Sequence, residues 1–208
     1  MLWRHGRTHW NVDGRIQGHT DIPLDEVGEA QARDSARRLA SLRPDAVVSS
    51  DLTRARDTAA ALAALTGLTV AVDPRLRETF FAEWEGLRDD DVAQQYGEAL
   101  ARWRRGGDLP IEGAETREQV GRRASAAILA ALADVPPGGV LVAVTHGGTA
   151  RATIATLLDL PRDRWGALGG LSNCCWSVLG ERPELAGGFQ LVEHNAGVLP
   201  EPVIGDDE

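Results

Sequence analysis

The sequence predicts an α/β protein in which a mainly parallel central sheet lies between two layers of helices. Short apolar runs such as Ala46–Val48 and Val140–Val144 have the length and composition of buried parallel strands. Alanine-rich segments with helical spacing separate these runs, and this alternation is typical of a three-layer α/β/α architecture. The length of 208 residues fits a single domain over residues 1–208, with a sizeable core.

Composition and charge exclude several classes of partner. The net charge of -9 argues against a nucleic-acid surface and against binding to anionic membranes. No apolar run is long enough to span a bilayer and no signal-peptide pattern is visible, so we expect a cytoplasmic protein. The two cysteines, Cys174 and Cys175, are adjacent, which disfavours an ordinary disulfide and fits a reducing compartment. They lack a second ligand cluster, so no metal site is predicted.

The first strand is short, since only Met1–Trp3 precede the polar residues that follow. A buried parallel strand normally has four or more apolar residues, which predicts further residues before Met1, either from an earlier native start or from trimming. A polar loop over residues 9–25 comes next, and a loop of this length is usually functional. Asp25 is the predicted N-cap of a helix that runs to about Leu42 and stops at Pro44.

The second strand leads into a helix that carries an arginine in its first turn. Asp51 is the predicted N-cap of this helix, and Gly67 is its predicted end. Arg54 therefore lies just beyond the end of a strand, where ligands bind in open α/β sheets, although a solvated helical arginine is the alternative. Residues 69–72 form a further predicted strand.

A glutamate follows this strand, beside an aromatic segment. Glu78 precedes the aromatic residues of 80–86, and a carboxyl group in such surroundings is a candidate general acid near neutral pH. The alternative is a surface carboxylate paired with Arg75 or Arg77.

A helical cap-like insertion is predicted over residues of about 80–115. It contains the basic run Arg102–Arg105, for which a solvated face is favoured over a position above the site. An amphipathic helix follows over about Thr116–Asp134, and Thr116 with Gln119 has the pattern of a capping box.

Val140–Val144 is the clearest strand of the chain, and it leads into a helix through His146. Such a strand end adds a second imidazole and exposes backbone amides that suit an anion. Two further strands are predicted over about 174–179 and 189–194, and an acidic tail of about 200–208 is expected to be mobile.

The first strand ends in Arg4-His5-Gly6, which places a guanidinium beside an imidazole. Arginine beside histidine is expected where an anionic oxygen group is held while a nitrogen attacks it. Gly6 leaves bare backbone for the close approach of a ligand. Taken alone, an ordinary polar exit from a strand is the alternative.

The predicted topology brings the chemical groups together, because parallel strands end at the same edge of a sheet. Those that converge on one crevice are Arg4, His5, Arg54, Glu78 and His146. The sequence offers no serine or cysteine elbow and no glycine-rich nucleotide loop. Two arginines, two histidines and one carboxyl group favour phosphoryl transfer through a phosphohistidine.

Five motifs follow one another along nearly the whole chain. They are Arg4-His5-Gly6 with Asn11, the Ile16–Leu24 loop, Ser50–Ala59, Leu76-Arg77-Glu78 and Thr145–Gly148. In residues and in order they resemble the histidine phosphatase superfamily, the phosphoglycerate mutase-like proteins.

The resemblance implies the three-layer fold predicted above and a role for each group. His5 is expected to be the nucleophile that becomes phosphorylated, and Glu78 to protonate the leaving alkoxide and then activate water. The residues expected to hold the phosphoryl oxygens are Arg4, Arg54, His146 and Asn11. Those expected to complete phosphate or substrate binding are Thr8, Gln17 and Gly147. No metal and no cofactor are expected, because the arginines supply the positive charge.

Details of the motifs favour a phosphatase over a mutase. Mutases of this family carry an arginine and, two positions later, a tyrosine after the acidic residue, whereas Thr79 follows Glu78 here and Phe81 stands at the tyrosine position. The segment Phe81–Glu85 resembles the phosphatase branch, which typically has a glycine at the Ala82 position. A metal-independent phosphomonoesterase is therefore expected. A phosphoglycerate mutase and a non-catalytic phospho-ligand-binding module are the alternatives.

Further motifs are similar to those of actinobacterial glucosyl-3-phosphoglycerate phosphatases, a group within this family. They are Arg75–Thr79, Trp165–Gly170 and Asn173 with Trp176. The expected partner is a small-molecule phosphate ester, either glucosyl-3-phosphoglycerate or another sugar or glycerate phosphate. Gln17 and Leu171–Cys174 are expected on the substrate side of the pocket. The sequence leaves the oligomeric state open, with a homodimer among the alternatives.

Overall fold

The computed structural model describes residues 1–197, so the predicted acidic tail of about 200–208 lies outside it. The strands are β1 (Leu2–Arg4), β2 (Ala46–Ser49), β3 (Val70–Val72), β4 (Leu141–Thr145), β5 (Trp176–Glu181) and β6 (Phe189–Ala196). The α-helices are α1 (His9–Val12), α2 (Glu26–Ser41), α3 (Thr53–Thr66), α4 (Asp89–Arg104), α5 (Arg117–Leu132) and α6 (Gly147–Leu157). Short 3₁₀ turns occur at Pro74–Leu76, Ala82–Trp84, Arg162–Ala167 and Ala186–Gly188. No helix within residues 1–197 is both long and apolar enough to cross a membrane.

The six strands form one sheet in the order β3-β2-β4-β1-β5-β6. The four strands from β3 to β1 are parallel to one another. At the other side of the sheet, β5 pairs antiparallel with β1, and β6 pairs antiparallel with β5. The predicted, mainly parallel sheet is confirmed, with an antiparallel pair added. Because β1 and β4 are parallel neighbours, the residues that follow them lie side by side at one edge of the sheet.

The core lies on both faces of the sheet. In β1, Leu2 packs on one face with Ile128 of α5 and Ile154 of α6. Trp3 packs on the opposite face with Leu39 of α2 and Leu62 of α3, since successive side chains of a strand alternate between faces. Burying a side chain of this size contributes roughly 1.5–3 kcal/mol. These contacts establish the two helical layers that the sequence predicts.

Three predicted helix ends are confirmed. The Asp25 carboxylate accepts a hydrogen bond of 2.7 Å from the backbone N–H of Gly28 at the start of α2. Thr116 and Gln119 form the reciprocal capping box of α5. Gly67 ends α3 with a φ of 74°, in the left-handed region that favours glycine.

Two local predictions are wrong. Leu52 rather than Asp51 is the N-cap of α3, and it makes no side-chain capping bond. Asp51 instead accepts two hydrogen bonds from the Arg77 guanidinium, at 2.8 and 2.5 Å, because a paired ionic partner lies within reach. The polar segment predicted as a loop contains the helical turn α1, since Thr8 and Asn11 cap each other reciprocally.

The segment predicted as a cap-like insertion contains α4 and builds an apolar cluster of its own. Trp84, Val92, Leu100 and Leu109 are buried in this cluster, which is separate from the two clusters that cover the sheet. The segment thereby stands beside the edge of the sheet at which β1 and β4 end, and several of its residues line the pocket described below.

Candidate active site

Two histidines follow the paired ends of β1 and β4. The backbone N–H of His5 donates to the carbonyl of Thr145 at 3.0 Å, which continues the parallel ladder by one residue. The imidazole rings of His5 and His146 therefore come within 5.1 Å of each other, centroid to centroid. Both side chains are buried, as expected for residues held by strands at the centre of a sheet.

The hydrogen bond of His5 determines which ring nitrogen can react. Its Nδ1 lies 2.7 Å from the carbonyl oxygen of Gly6, and a carbonyl can only accept, so Nδ1 carries the proton. The lone pair of the neutral ring is consequently on Nε2. Burial, and then the charges of Arg54 and Arg4, lower the pKa of His5 well below its usual value. The imidazole is therefore unprotonated and nucleophilic at neutral pH.

Gly6 has a structural reason different from the predicted one. A side chain at this position would collide with the backbone carbonyl of Gly28 in α2, so glycine is needed for close packing of two chain segments. The backbone N–H of Gly6 also donates to the Thr58 hydroxyl at 3.0 Å. The close packing against Gly28 therefore requires a glycine after His5.

His146 is neutral and has the opposite tautomer. The Nε–H of Arg54 donates to His146 Nδ1 at 3.2 Å, so that Nδ1 accepts and Nε2 carries the proton. His146 Nε2 lies 2.9 Å from the Ser50 hydroxyl, which accepts this proton. Burial, followed by the charge of Arg54, lowers the pKa of His146 well below its usual value. The pair of bonds holds the ring in a fixed orientation beside His5.

Two guanidinium groups border the histidines. Arg54, in the first turn of α3, is completely buried and donates to the carbonyls of Thr20 at 2.9 Å and Gly18 at 2.8 Å. Burial lowers its pKa to about 10, which leaves it charged at neutral pH. Arg4 donates to the carbonyl of Leu171 at 2.5 Å. The alternative of a solvated helical arginine is therefore wrong for Arg54.

Glu78 lies at the start of α6 instead of pairing with an arginine. Its carboxylate accepts hydrogen bonds of 3.0 Å from the backbone N–H groups of Gly148 and Thr149, and a third from the Thr149 hydroxyl. Arg75 and Arg77, its predicted alternative partners, bind Asp73 and Asp51. Glu78 thus occupies the helix N-terminus, where the backbone amides and the helix dipole favour a negative group.

A loop of the polar N-terminal segment binds Arg54, and one carboxylate anchors this loop. Glu85 accepts hydrogen bonds from the backbone N–H groups of His19 and Thr20, at 2.8 and 3.0 Å, and from the Thr20 hydroxyl. Gly18 and Thr20 are also the residues whose carbonyls hold Arg54. Glu85 therefore fixes the loop that positions this guanidinium.

The remaining predicted binding residues divide into two groups. Those that line the same pocket as His5, Arg4, Arg54 and Glu78 are Asn11, Gln17 and Gly147. Thr8 is not among the lining residues, since its side chain is fully buried and caps α1 through Asn11. Leu171 and Asn173 bind Arg4 and the backbone carbonyl of His5, so their segment supports the end of β1, with Gly170 reaching the pocket.

The pocket extends well beyond the residues that sequence reasoning selected. Trp103 and Arg104, for which the sequence favours a solvated face, line it together with Arg15, Arg117 and Arg151. The basic run in the insertion was the available signal for the first two. Nothing in the sequence distinguishes Arg151 from a surface arginine, because its position depends on how α6 packs. No group of three or more metal-binding side chains occurs among residues 1–197.

An α/β protein whose strand ends hold a neutral histidine between two arginines belongs to the class of phosphoryl-transfer enzymes. The family model of the histidine phosphatase superfamily, branch 1, matches residues 1–196. The chain belongs to this superfamily and is a phosphatase.

Similar proteins agree with the assignment to this superfamily. A glucosyl-3-phosphoglycerate phosphatase of Mycobacterium tuberculosis is 39% identical over 186 residues, which cover 86% of this chain and 83% of the relative. A probable phosphoglycerate mutase of Yersinia pestis is 37% identical over 193 residues, covering 90% and 88%. A solved mycobacterial glucosyl-3-phosphoglycerate phosphatase in complex with VO3 has a TM-score of 0.89 at 38% identity, covering 94% of this chain and 98% of that structure.

Proposed function

We propose that the protein hydrolyses small phosphomonoesters through a phosphohistidine at His5, without a metal ion. The observation that carries this proposal is the neutral imidazole of His5, whose Nδ1 proton is held by the Gly6 carbonyl in a pocket lined by Arg4 and Arg54. A nucleophile with a free lone pair beside two fixed positive charges suits attack on a phosphoryl group.

In the first step, His5 Nε2 forms a bond to phosphorus and the bond from phosphorus to the ester oxygen breaks. The leaving alkoxide takes a proton from the carboxyl group of Glu78. The Gly6 carbonyl stabilises the phosphorylated ring, because Nδ1 keeps its proton throughout. The two guanidinium groups, with the side chains of Asn11 and Gln17, hold the phosphoryl oxygens. His146 orients the Arg54 guanidinium, because its Nδ1 accepts the Arg54 Nε–H.

In the second step, the Glu78 carboxylate takes a proton from water, and the water oxygen attacks phosphorus. The nitrogen–phosphorus bond breaks, inorganic phosphate leaves, and His5 returns to its neutral form. Glu78 is protonated again and ready for the next ester, so one residue serves as acid and then as base.

We further propose glucosyl-3-phosphoglycerate, or another sugar or glycerate phosphate, as the substrate. The 39% identical mycobacterial relative bears that substrate in its name and supports this choice. A phosphoglycerate mutase is the second candidate, favoured by the 37% identical relative from Yersinia pestis. Phe81, at the position where the mutases of the family carry tyrosine, supports the phosphatase.

A hydrolysis screen without metal tests the proposal. The panel contains glucosyl-3-phosphoglycerate, 3-phosphoglycerate, sugar phosphates, phosphoserine and an aryl phosphate, with His5→Ala as the control. We expect one preferred ester, released phosphate and no turnover by His5→Ala. Phosphoryl exchange that depends on a bisphosphate primer would support the mutase instead. Phosphate binding without turnover would support a non-catalytic module.

We also propose a cytoplasmic location and the absence of nucleic-acid and membrane partners. Cys174 and Cys175 are free thiols, which supports a reducing compartment. The net charge of -9 supports the absence of polyanionic partners. Fractionation of the native cells, with the thiols titrated in the soluble fraction, tests the location.

A further inference from the structure

Glu78 lies in a segment that has no regular secondary structure of its own. The 3₁₀ turn Pro74–Leu76 ends before it, and the next turn begins at Ala82. Its backbone is therefore held by contacts from other elements rather than by a ladder of strand or helix bonds. A residue that exchanges a proton with the ester oxygen must nevertheless stay within hydrogen-bond reach of it. The contacts that hold this segment consequently bear on the reaction.

Arg123, on α5, holds the segment through its backbone carbonyls. Its Nη1 donates to the carbonyls of Arg75 and Arg77 at 2.6 and 2.7 Å, and its Nη2 donates to the carbonyl of Glu78 at 2.8 Å. Nε and Nη2 also donate to the two carboxylate oxygens of Glu115, each at 2.8 Å. These contacts use all five N–H donors of the guanidinium, whereas a lysine has only three.

Glu115 binds both this guanidinium and the chain beyond Glu78. Its carboxylate accepts a hydrogen bond of 2.9 Å from the backbone N–H of Phe80, and its own N–H donates to the Phe80 carbonyl at 2.9 Å. Burial acts against its charged form, but the hydrogen bonds from Arg123 and Phe80 outweigh burial and lower its pKa, so it is ionised at neutral pH. One ion pair, with side chains 19% and 22% exposed, thus holds the backbone on both sides of Glu78.

The carboxyl group of Glu78 is held separately, by the amides of Gly148 and Thr149 at the start of α6. These bonds are strongest with the ionised carboxylate and weaken when Glu78 carries the proton that it gives to the leaving alkoxide. The bonds of Arg123 go to backbone carbonyls, so they do not depend on that proton. They persist in the acid half of the reaction, when the hold from α6 is weakest.

We propose that Arg123 is a positioning residue for proton transfer, which holds the backbone of Glu78 while its carboxyl group is protonated. This inference rests on the proposed function and deepens it. Arg123 is not among the residues that line the pocket, so it acts on the ester through Glu78. The effect is selective, because an alkoxide needs a proton in order to leave, whereas a 4-nitrophenolate leaves without one.

The test compares kcat/KM for two esters in the variant Arg123→Lys. One is 4-nitrophenyl phosphate, and the other is the alkyl ester of the screen above that the unmodified protein hydrolyses fastest. Lysine keeps a positive charge beside Glu115 but cannot make all five bonds. We expect the ratio of alkyl to aryl kcat/KM to fall about tenfold, since a misplaced general acid loses part of its contribution. The amount of folded protein cancels in this ratio, so a loss of stability alone leaves it unchanged.

Arg122→Gln is the matched control, because Arg122 is the neighbouring arginine of α5, is 74% exposed and pairs with Glu118. This variant should keep the ratio of the unmodified protein. Glu78→Gln should lower the ratio at least as far as Arg123→Lys, and the two changes together should lower it no further than Glu78→Gln does.

A ratio in Arg123→Lys that stays within twofold of the original would overturn the inference. A further fall when Arg123→Lys is added to Glu78→Gln would also overturn it, because Arg123 would then act independently of Glu78. Absence of hydrolysis of both esters by the unmodified protein would instead overturn the proposed function.

Discussion

At the scale of single residues, the two histidines show how backbone and side-chain partners prepare a reactive group. His5 donates to a carbonyl, whereas His146 accepts from Arg54, so two identical side chains are held in opposite tautomers. Both have a lowered pKa, caused first by burial. A buried neutral imidazole can attack phosphorus at a pH at which a free histidine is partly protonated.

The lowered pKa values predict a loss of stability in mild acid. The unfolded chain binds protons at its histidines near pH 6.5, whereas the folded chain binds them only at lower pH. Stability is therefore present above pH 6.5 and is lost as the pH falls towards the folded pKa, by about 1.4 kcal/mol per pH unit for each histidine. Urea unfolding from pH 7.5 to 5 should show this decline.

His5→Asn provides the comparison for that measurement, since its amide can donate to the Gly6 carbonyl without titrating. The free energy of unfolding of this variant should fall less steeply between pH 6.5 and 5. Equal slopes for the variant and the unmodified protein would show that His5 is not held neutral by the fold.

At the scale of elements, the loop before α2 depends on a carboxylate from a distant segment. Glu85 holds His19 and Thr20, and the same loop holds Arg54 through two carbonyls. Removal of the Glu85 side chain should release the loop and let the Arg54 guanidinium move. Glu85 is thus a positioning residue, which acts on the phosphoryl group through Arg54.

Glu85→Ala should lower kcat/KM for an aryl phosphate about tenfold, because several hydrogen bonds to a charged group are lost. Glu83→Ala is the control, since Glu83 is an exposed neighbour in the same turn. In a double-mutant cycle, Glu85→Ala and Arg54→Lys should be strongly non-additive. Additive losses would indicate that Glu85 contributes to stability alone.

The turn that carries Glu85 contains a strained residue. Ala82 has a φ of 51°, in the left-handed region, and it stands where the phosphatase branch typically has glycine. Ala82→Gly should therefore stabilise the protein by about 0.5–1 kcal/mol, the relief of strain exceeding the entropy cost of glycine. Ala64→Gly, at an exposed position in α3, should destabilise it by about 1 kcal/mol. Thermal unfolding of both variants checks the opposite signs.

At the scale of the whole molecule, the fold and the reactive end of the pocket could be predicted from the sequence. Strand ends are marked by a change from apolar to polar residues, so His5 and His146 can be assigned to one edge of a sheet from the sequence alone. The family's motifs then supplied Glu78 and Arg54. The positions of these residues follow from local sequence patterns and from the order of the strands, and both can be inferred from the sequence.

The opposite wall of the pocket could not be predicted in this way. Trp103 and Arg104 line it because α4 packs through an apolar cluster of its own, and Arg151 because α6 turns one face inwards. The ion pair of Asp51 with Arg77 could not be predicted for a related reason, since the two residues are distant in the sequence. Long-range packing decides such contacts, and a local pattern does not encode it.

The measurement that tests the central claim most directly is the isolation of the phosphorylated enzyme. Glu78→Gln should still transfer the phosphoryl group of an aryl phosphate to His5, because an aryl oxide leaves without a proton donor. It should hydrolyse the intermediate slowly, because its amide cannot activate water.

Intact-mass and peptide mass spectrometry of Glu78→Gln after incubation with the aryl phosphate provide the readout. The account predicts one acid-labile phosphoryl group on the peptide that contains His5, formed together with one equivalent of phenol. The variant His5→Ala with Glu78→Gln should carry none. Phenol release without a phosphoryl group on His5, or a phosphoryl group on another residue, would contradict the account.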